Sequence, residues 1–198
     1  MINYDDLAKF LFEAGQLKKV KRSGWWLAGI KDPESVAEHV YRAAILGMIL
    51  AEMEKADASK VVKMILFHDL PEARVNDSHK VALRYLNTEA AEKQAFMEQT
   101  ERLPPELAKE VQALYEEWEK RESKEAIIAK DADLLECAIQ AKEYLQQHYK
   151  DCENWIENGK KQLKTESAKK IMEAIEKNSA NSWWYGLKHI KELLKHKE

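Results

Sequence analysis

Only two cysteines, four prolines and six glycines occur among the 198 residues. Cys137 and Cys152 are too few for a disulfide framework and form no CxxC pair, so a reduced, cytoplasmic setting is expected. The scarcity of Gly and Pro, with no low-complexity block and no Gly/Ser linker, argues against disordered or linker-rich segments and favours helix nearly throughout. An excess of one charge is also missing. The formal net charge is −3, which gives no general attraction for nucleic acid. The basic run LKKVKR at 17–22 reads as a solvated face. No apolar run approaches the roughly 20 residues that span a bilayer. The opening MINYDDLAKF lacks the basic and then apolar pattern of a signal peptide. Neither nucleic acid nor a membrane is an expected partner.

What is present is a chain that is 45% hydrophobic and 34% charged, enough apolar content for one substantial core. Residues 1–150 are expected to form that core. Residues 151–198 are expected to be a helical extension, packed on the core or at a dimer interface. Leu7, Phe10, Leu11 and Ala14 share a face of a first helix from about Asp5 to Leu17. The segment 18–31 has no clear period and reads as turn-rich. Asp32-Pro33 resembles a helix start, with Asp as N-cap and Pro in the first turn, for a helix reaching about Lys55. Further helices are expected from about Asp57 to His68–Leu70, from Thr88 to Glu101, from Pro105 to Lys120, and from a Ser123 cap to about His148. Two tail helices are expected, near 154–178 and 182–196. Trp155, Trp183 and Trp184 are large apolar groups there with few partners in their own segment. Strand alternation is absent, so the fold class is all-α, a compact multi-helix array.

The chemistry concentrates in a few positions. His68 and Asp69 stand side by side directly after the apolar run Met64-Ile65-Leu66-Phe67. Upstream, His39 lies in ESVAEHVYRAA. Downstream, Asp131 and Asp133 interrupt the apolar stripe of the helix that follows Ser123. A carboxylate among apolar positions is costly unless it has a partner. Asp131 and Asp133 are two positions apart and face different sides of their helix. Two imidazoles and two carboxylates suit one divalent transition ion, Mn, Co, Ni, Fe or Zn, and suit Mg less well. Neighbours on a helix point about 100° apart, so His68 and Asp69 share an ion only at a helix end, which Pro71 supplies. Glu72, one turn beyond, can face the same cavity as a general acid/base. The remaining histidines, His79, His148, His189 and His196, form no obvious second set, so one metal per chain is expected.

The order H…HD…D, in the segments LKKVKRSGWW, PESVAEHVYRAA, FHDLPEARVND and KDADLLECAIQA, resembles the HD-domain metal-dependent phosphohydrolases of the 5′-deoxynucleotidase type over roughly residues 5–150. The resemblance implies a helical HD-domain array, often a homodimer. It also implies hydrolysis of deoxynucleoside 5′-monophosphates, a small-molecule phosphate substrate, to deoxynucleoside and phosphate. The metal ligands it implies are His39, His68, Asp69 and, by its register, Asp133 in preference to Asp131. Glu72 and Asp77 match its catalytic acids. Arg22 is the first candidate for binding phosphate, with Lys80 and Arg42 behind it. Trp25 matches the family's sugar-pocket aromatic, which disfavours a ribose 2′-hydroxyl by leaving it without a partner. Trp26 could exchange roles with Trp25, and His79 could act behind the ligands. Another phosphate substrate (a nucleoside triphosphate, a cyclic nucleotide or another phosphomonoester) and a non-catalytic, metal-stabilised interaction module are the competing expectations.

Overall fold

The computed structural model describes residues 2–187. Among them the chain is helical and has no β-strand beyond one isolated bridge. In order, the helices are α1 (Tyr4–Ala14), α2 (Gly24–Leu27), α3 (Val36–Glu54), α4 (Ala58–His68), α5 (Glu72–Val75), α6 (Glu89–Thr100), α7 (Pro105–Lys120), α8 (Lys124–Gln146), α9 (Glu153–Gln162) and α10 (Glu166–Lys177). No helix is long and apolar enough to cross a membrane, among the described residues.

α8 is the centre of the molecule. Ser123 caps it by accepting from the Ala126 amide. Ala126, Ala129, Ala132, Ala138 and Ala141 are buried along it, and small side chains let neighbouring helices approach from several sides. Ile128 and Leu135 join Leu50 of α3, Met64 and Ile65 of α4 and Met172 of α10 in one apolar cluster. Cys152, Ile156, Leu163 and Ala168 belong to the same cluster, and Trp155 packs against it. A second cluster gathers Phe10, Val36, Val40, Phe96, Val111 and Tyr115, with the rings of Phe96 and Tyr115 stacked at 4.0 Å.

Several helix ends differ from expectation, each for a local reason. α3 does not start at Asp32-Pro33. Ser35 is its N-cap, in a capping box with Glu38, while Asp32 pairs with Lys21 at 2.6 Å. The residues before α3 run antiparallel beside the segment that follows α1. Arg22 N donates to Glu34 O at 3.0 Å and Val36 N to Val20 O at 2.9 Å. This short pairing fixes Arg22 beside the start of α3. α1 closes at Gly15 and continues as a 3-10 turn, Gly15–Lys18, which buries Leu17. Leu11, expected on the apolar face, is exposed.

The expected helix 154–178 is two helices. Asp131 of α8 accepts from Lys164 N, Thr165 N and Thr165 Oγ1, which holds the chain open at the break and lets Thr165 cap α10. Of the expected helix 182–196, the described part is a 3-10 turn, Ser182–Trp184. The remainder, from residue 188, lies outside the described residues.

α4 packs tightly against α3 at Gly47. A β-carbon there would lie 2.2 Å from Ile65 Cδ1 and 3.0 Å from Val61 Cγ1. Both neighbours are fully buried. Gly47→Val is expected to wedge the two helices apart and lower stability by about 1–3 kcal/mol, the usual range for overpacking. A denaturant titration measures this, and an unchanged midpoint contradicts it.

Candidate metal centre

His39 sits in the first turn of α3, where the capping box pins the helix start. His68 is the last residue of α4, and Asp69 is its C-cap with non-helical backbone angles. Because the helix ends between them, both side chains turn toward the same space: His68 Nε2 lies 3.0 Å from Asp69 Oδ1. From the middle of α8, Asp133 brings Oδ1 to 3.1 Å from His39 Nε2, and Asp69 Oδ2 is 3.7 Å from the same nitrogen. The structure therefore brings His39, His68, Asp69 and Asp133 together from three helices. His39, His68 and Asp69 offer ligand atoms all within 4.8 Å of one another, as do His39, Asp133 and Cys137.

Hydrogen bonds orient both imidazoles. His68 Nδ1 donates to the Ile65 carbonyl at 2.7 Å. His39 Nδ1 faces the buried carboxylate of Glu136. In each neutral ring the other nitrogen, Nε2, then carries a lone pair directed at the cluster. His39 Nε2 and Asp69 Oδ2 are buried without an aligned hydrogen-bond partner. Lone pairs converging in a buried space are what a divalent cation satisfies, so the donor set fits one.

Electrostatics favour the ligand forms of the acids. Burial alone raises the Asp69 pKa, but His68, Arg22 and His39 outweigh it and bring the carboxyl down to about 2. Burial likewise raises Asp133, and Lys130 and His39 hold it well below the ordinary carboxylate range. Lys130 Nζ reaches Asp133 Oδ2 at 2.5 Å and lies 5.4 Å from the Trp118 ring centroid. Trp118 in turn walls His68 at 4.6 Å. Burial and Arg22 push the His39 pKa down, but Glu136 and Asp133 overcome them and lift it to about 9 without metal.

Arg22 reaches the same cluster through the short pairing with residue 34. Its Nη1 is 3.6 Å from Asp69 Oδ2 and 3.5 Å from Asp77 Oδ1, and its Nη2 donates to Cys137 Sγ at 3.1 Å. Asp77 also accepts from the Ser23 amide at 2.5 Å, so it ties the Arg22–Ser23 backbone to the segment after α5. Glu72 opens α5 immediately after Pro71. Its Oε2 is buried without a partner. Burial first, then Asp69 and Asp77, raise its pKa well above that of an ordinary carboxyl.

Other expected site residues stand elsewhere. Trp25, expected on a sugar pocket, is buried in the core. It is edge-on to Tyr144 at 5.2 Å and beside Trp155 at 5.3 Å, and its Nε1 donates to Glu34. The residue is 2% exposed, so in this structure it packs in the core. Trp26 is exposed. Lys80 is exposed on the segment after Asp77. Arg42 is held by Glu136, Gln140 and Glu143. His79 Nδ1 accepts from the Ala82 amide and closes a turn. Asp131 is committed to the break before α10.

Sequence reasoning did not single out Glu136, Lys130 or Cys137 for the site. These three lie at +3, −3 and +4 from Asp133, one helical face. A signal existed in Glu136, an acid inside an apolar stretch.

A model of the HD-domain family matches residues 14–176. The chain is 38% identical over 156 residues to 5′-deoxynucleotidase HDDC2 of Dictyostelium discoideum, an alignment covering 74% of this chain and 80% of that protein. It is 35% identical over 139 residues to 5′-deoxynucleotidase HDDC2 of Homo sapiens, covering 70% and 68%. Among solved structures, a conserved hypothetical protein from Pyrococcus furiosus is similar with a TM-score of 0.72 and 33% identity, covering 86% of this chain and 99% of that one.

Two outcomes follow from the geometry. Asp133→Ala is expected to abolish tight metal binding, whereas Asp131→Ala is expected to keep it. Because it strands the donors before α10, Asp131→Ala should cost about 1–3 kcal/mol of stability. Calorimetric metal titration and thermal melts separate the two, and metal loss in Asp131→Ala contradicts the assignment. Metal loading near pH 7 is expected to release a proton from His39, and the release should fade as pH rises past about 9. Dye-monitored titration in weak buffer measures it, and a constant release across that range contradicts it.

Proposed function

We propose that this chain, which belongs to the HD-domain family, is a metal-dependent phosphohydrolase that cleaves deoxynucleoside 5′-monophosphates to deoxynucleoside and phosphate. The observation that carries this reading is the buried His39, His68, Asp69 and Asp133 cluster with Arg22 and an unpaired Glu72 carboxyl beside it. The substrate class rests on the relatives bearing the name 5′-deoxynucleotidase.

His39 and His68 would hold the ion through Nε2, and Asp69 and Asp133 through carboxylate oxygens. Once bound, the ion supplies Lewis acidity, which acidifies water and offsets phosphoryl charge. The mixed imidazole and carboxylate set favours Mn, Co, Ni, Fe or Zn over Mg.

The chain's own residues do the rest. Arg22, aimed by Asp77 and Cys137, presents its guanidinium to the phosphate and neutralises charge on the oxygens during in-line displacement. Burial and two nearby carboxylates raise the Glu72 pKa well above that of an ordinary carboxyl and so favour its protonated form. It is therefore suited to donate its proton to the departing 5′-oxygen. Ionised Asp69 and protonated Glu72, three residues apart, divide the work of ligand and acid.

A homodimer is part of the proposal. On α3, Tyr41, Ile45, Met48, Ile49 and Met53 form an exposed apolar stripe of the kind that two copies bury against each other. Cys137 and Cys152 are both free thiols, which suits a reducing, cytoplasmic compartment.

The test is phosphate release from matched deoxy- and ribonucleoside 5′-monophosphates by metal-stripped protein, with Mn, Co, Ni, Zn and Mg returned separately. Metal-dependent release from the deoxy set alone is expected. Release only from triphosphates, cyclic nucleotides or other phosphomonoesters overturns the substrate, and metal binding without any release overturns the enzyme. Glu72→Gln is expected to keep the metal and lose most of kcat. In the unmodified chain, kcat should fall as pH rises through the Glu72 ionisation, because the acid form is the active one. Full kcat in Glu72→Gln contradicts this role.

A further inference from the structure

We propose that Glu136 and Arg42 form a positioning pair that presents His39 Nε2 to the metal. This inference rests on the reading of His39 as a ligand. Glu136 is fully buried at the α3–α8 contact. One of its oxygens, Oε2, pairs with His39 Nδ1. The other, Oε1, accepts from Arg42 Nε at 2.9 Å and lies 2.8 Å from Arg42 Nη2. Arg42 is held in turn by Glu143 at 2.7 Å and Gln140 at 2.8 Å.

The spacing makes this a continuous device. His39 and Arg42 are three apart on α3, and Asp133, Glu136, Gln140 and Glu143 recur every three or four residues on α8, so each set forms one helical face. Along the seam between the two faces, the ligand contact His39–Asp133 comes first. The contact His39–Glu136–Arg42 is next, and the Arg42 clamp on Gln140 and Glu143 lies beyond it. A carboxylate buried at Glu136 without a cation would be strongly unfavourable. Arg42 supplies that cation, and Glu136 remains an acceptor for the imidazole N–H. This fixes the tautomer in which Nε2 carries the lone pair, and it makes that nitrogen a stronger donor to metal. If the pair served only to join the helices, apolar side chains of similar volume would do so at least as well.

Glu136→Gln keeps the shape and removes the charge. With Co²⁺ as the probe, chelator competition is expected to show affinity on the order of 10–100-fold weaker, as for other partners of metal-bound histidine. The visible Co²⁺ absorption band is expected to shift. Arg42→Met, at a partly exposed side chain, is expected to give a smaller loss in the same direction and a shifted band. The double variant should be no weaker than Glu136→Gln alone. A purely structural role would lower the melting temperature of the metal-free chains but leave affinity and band position unchanged. If Glu136→Gln does not fold, Arg42→Met decides the question by the same two readouts. Unmodified affinity and spectrum in the folded variants overturn this inference while leaving the ligand reading intact. An unmodified chain that binds no Co²⁺ overturns the ligand reading itself.

Discussion

The structure depends on the burial of ionisable groups where α3, α4 and α8 meet. His39 and Glu136 are fully buried, and His68 and Asp133 nearly so. Removing one partner from a buried ion pair typically costs about 3–5 kcal/mol, so a chain that places several there must arrange partners around all of them. The partners come from every side: Lys130 for Asp133, Arg42 for Glu136, Arg22 for Asp69 and Asp77, and the Ile65 carbonyl for His68. Of the six buried side-chain atoms without a partner among the described residues, His39 Nε2, Asp69 Oδ2 and Glu72 Oε2 lie in or beside the ligand cluster, where function gives a reason for them; the others are Ser23 Oγ, Gln99 Oε1 and Glu117 Oε1.

That arrangement also explains how neighbouring carboxyls acquire different characters. Asp69 stands against two imidazoles and a guanidinium and stays ionised. Glu72, one turn later, has a buried carboxyl oxygen, and burial together with Asp69 and Asp77 raises its pKa well above that of an ordinary carboxyl. Environments that push two carboxyl pKa values apart divide a ligand or base from an acid.

Much of this was legible in the residues. Period and caps located α6, α7 and α8 closely, and the apolar run ending in His68-Asp69 marked the centre. The start of α3 was misplaced because Asp32-Pro33 is a valid cap signal in isolation. Ser35 wins because Glu38 completes the box and Lys21 draws Asp32 away. The break between α9 and α10 was not legible, since it depends on Asp131, more than thirty positions away in sequence. Trp25 shows the same limit. Its segment reads as turn-rich and the resemblance gives it a sugar pocket, whereas the structure packs it against Tyr144 and Trp155. Long-range partners of this kind decide whether a side chain faces a pocket or fills a core.

The most direct measurement is the position of a bound ion, found by anomalous diffraction from crystals of the Co²⁺-loaded protein. The account predicts one peak per chain, bonded to His39 Nε2, His68 Nε2 and the carboxylates of Asp69 and Asp133. A peak held instead by Glu34 and Glu136 on the Nδ1 side of His39, or by Cys137 without His68, would contradict it.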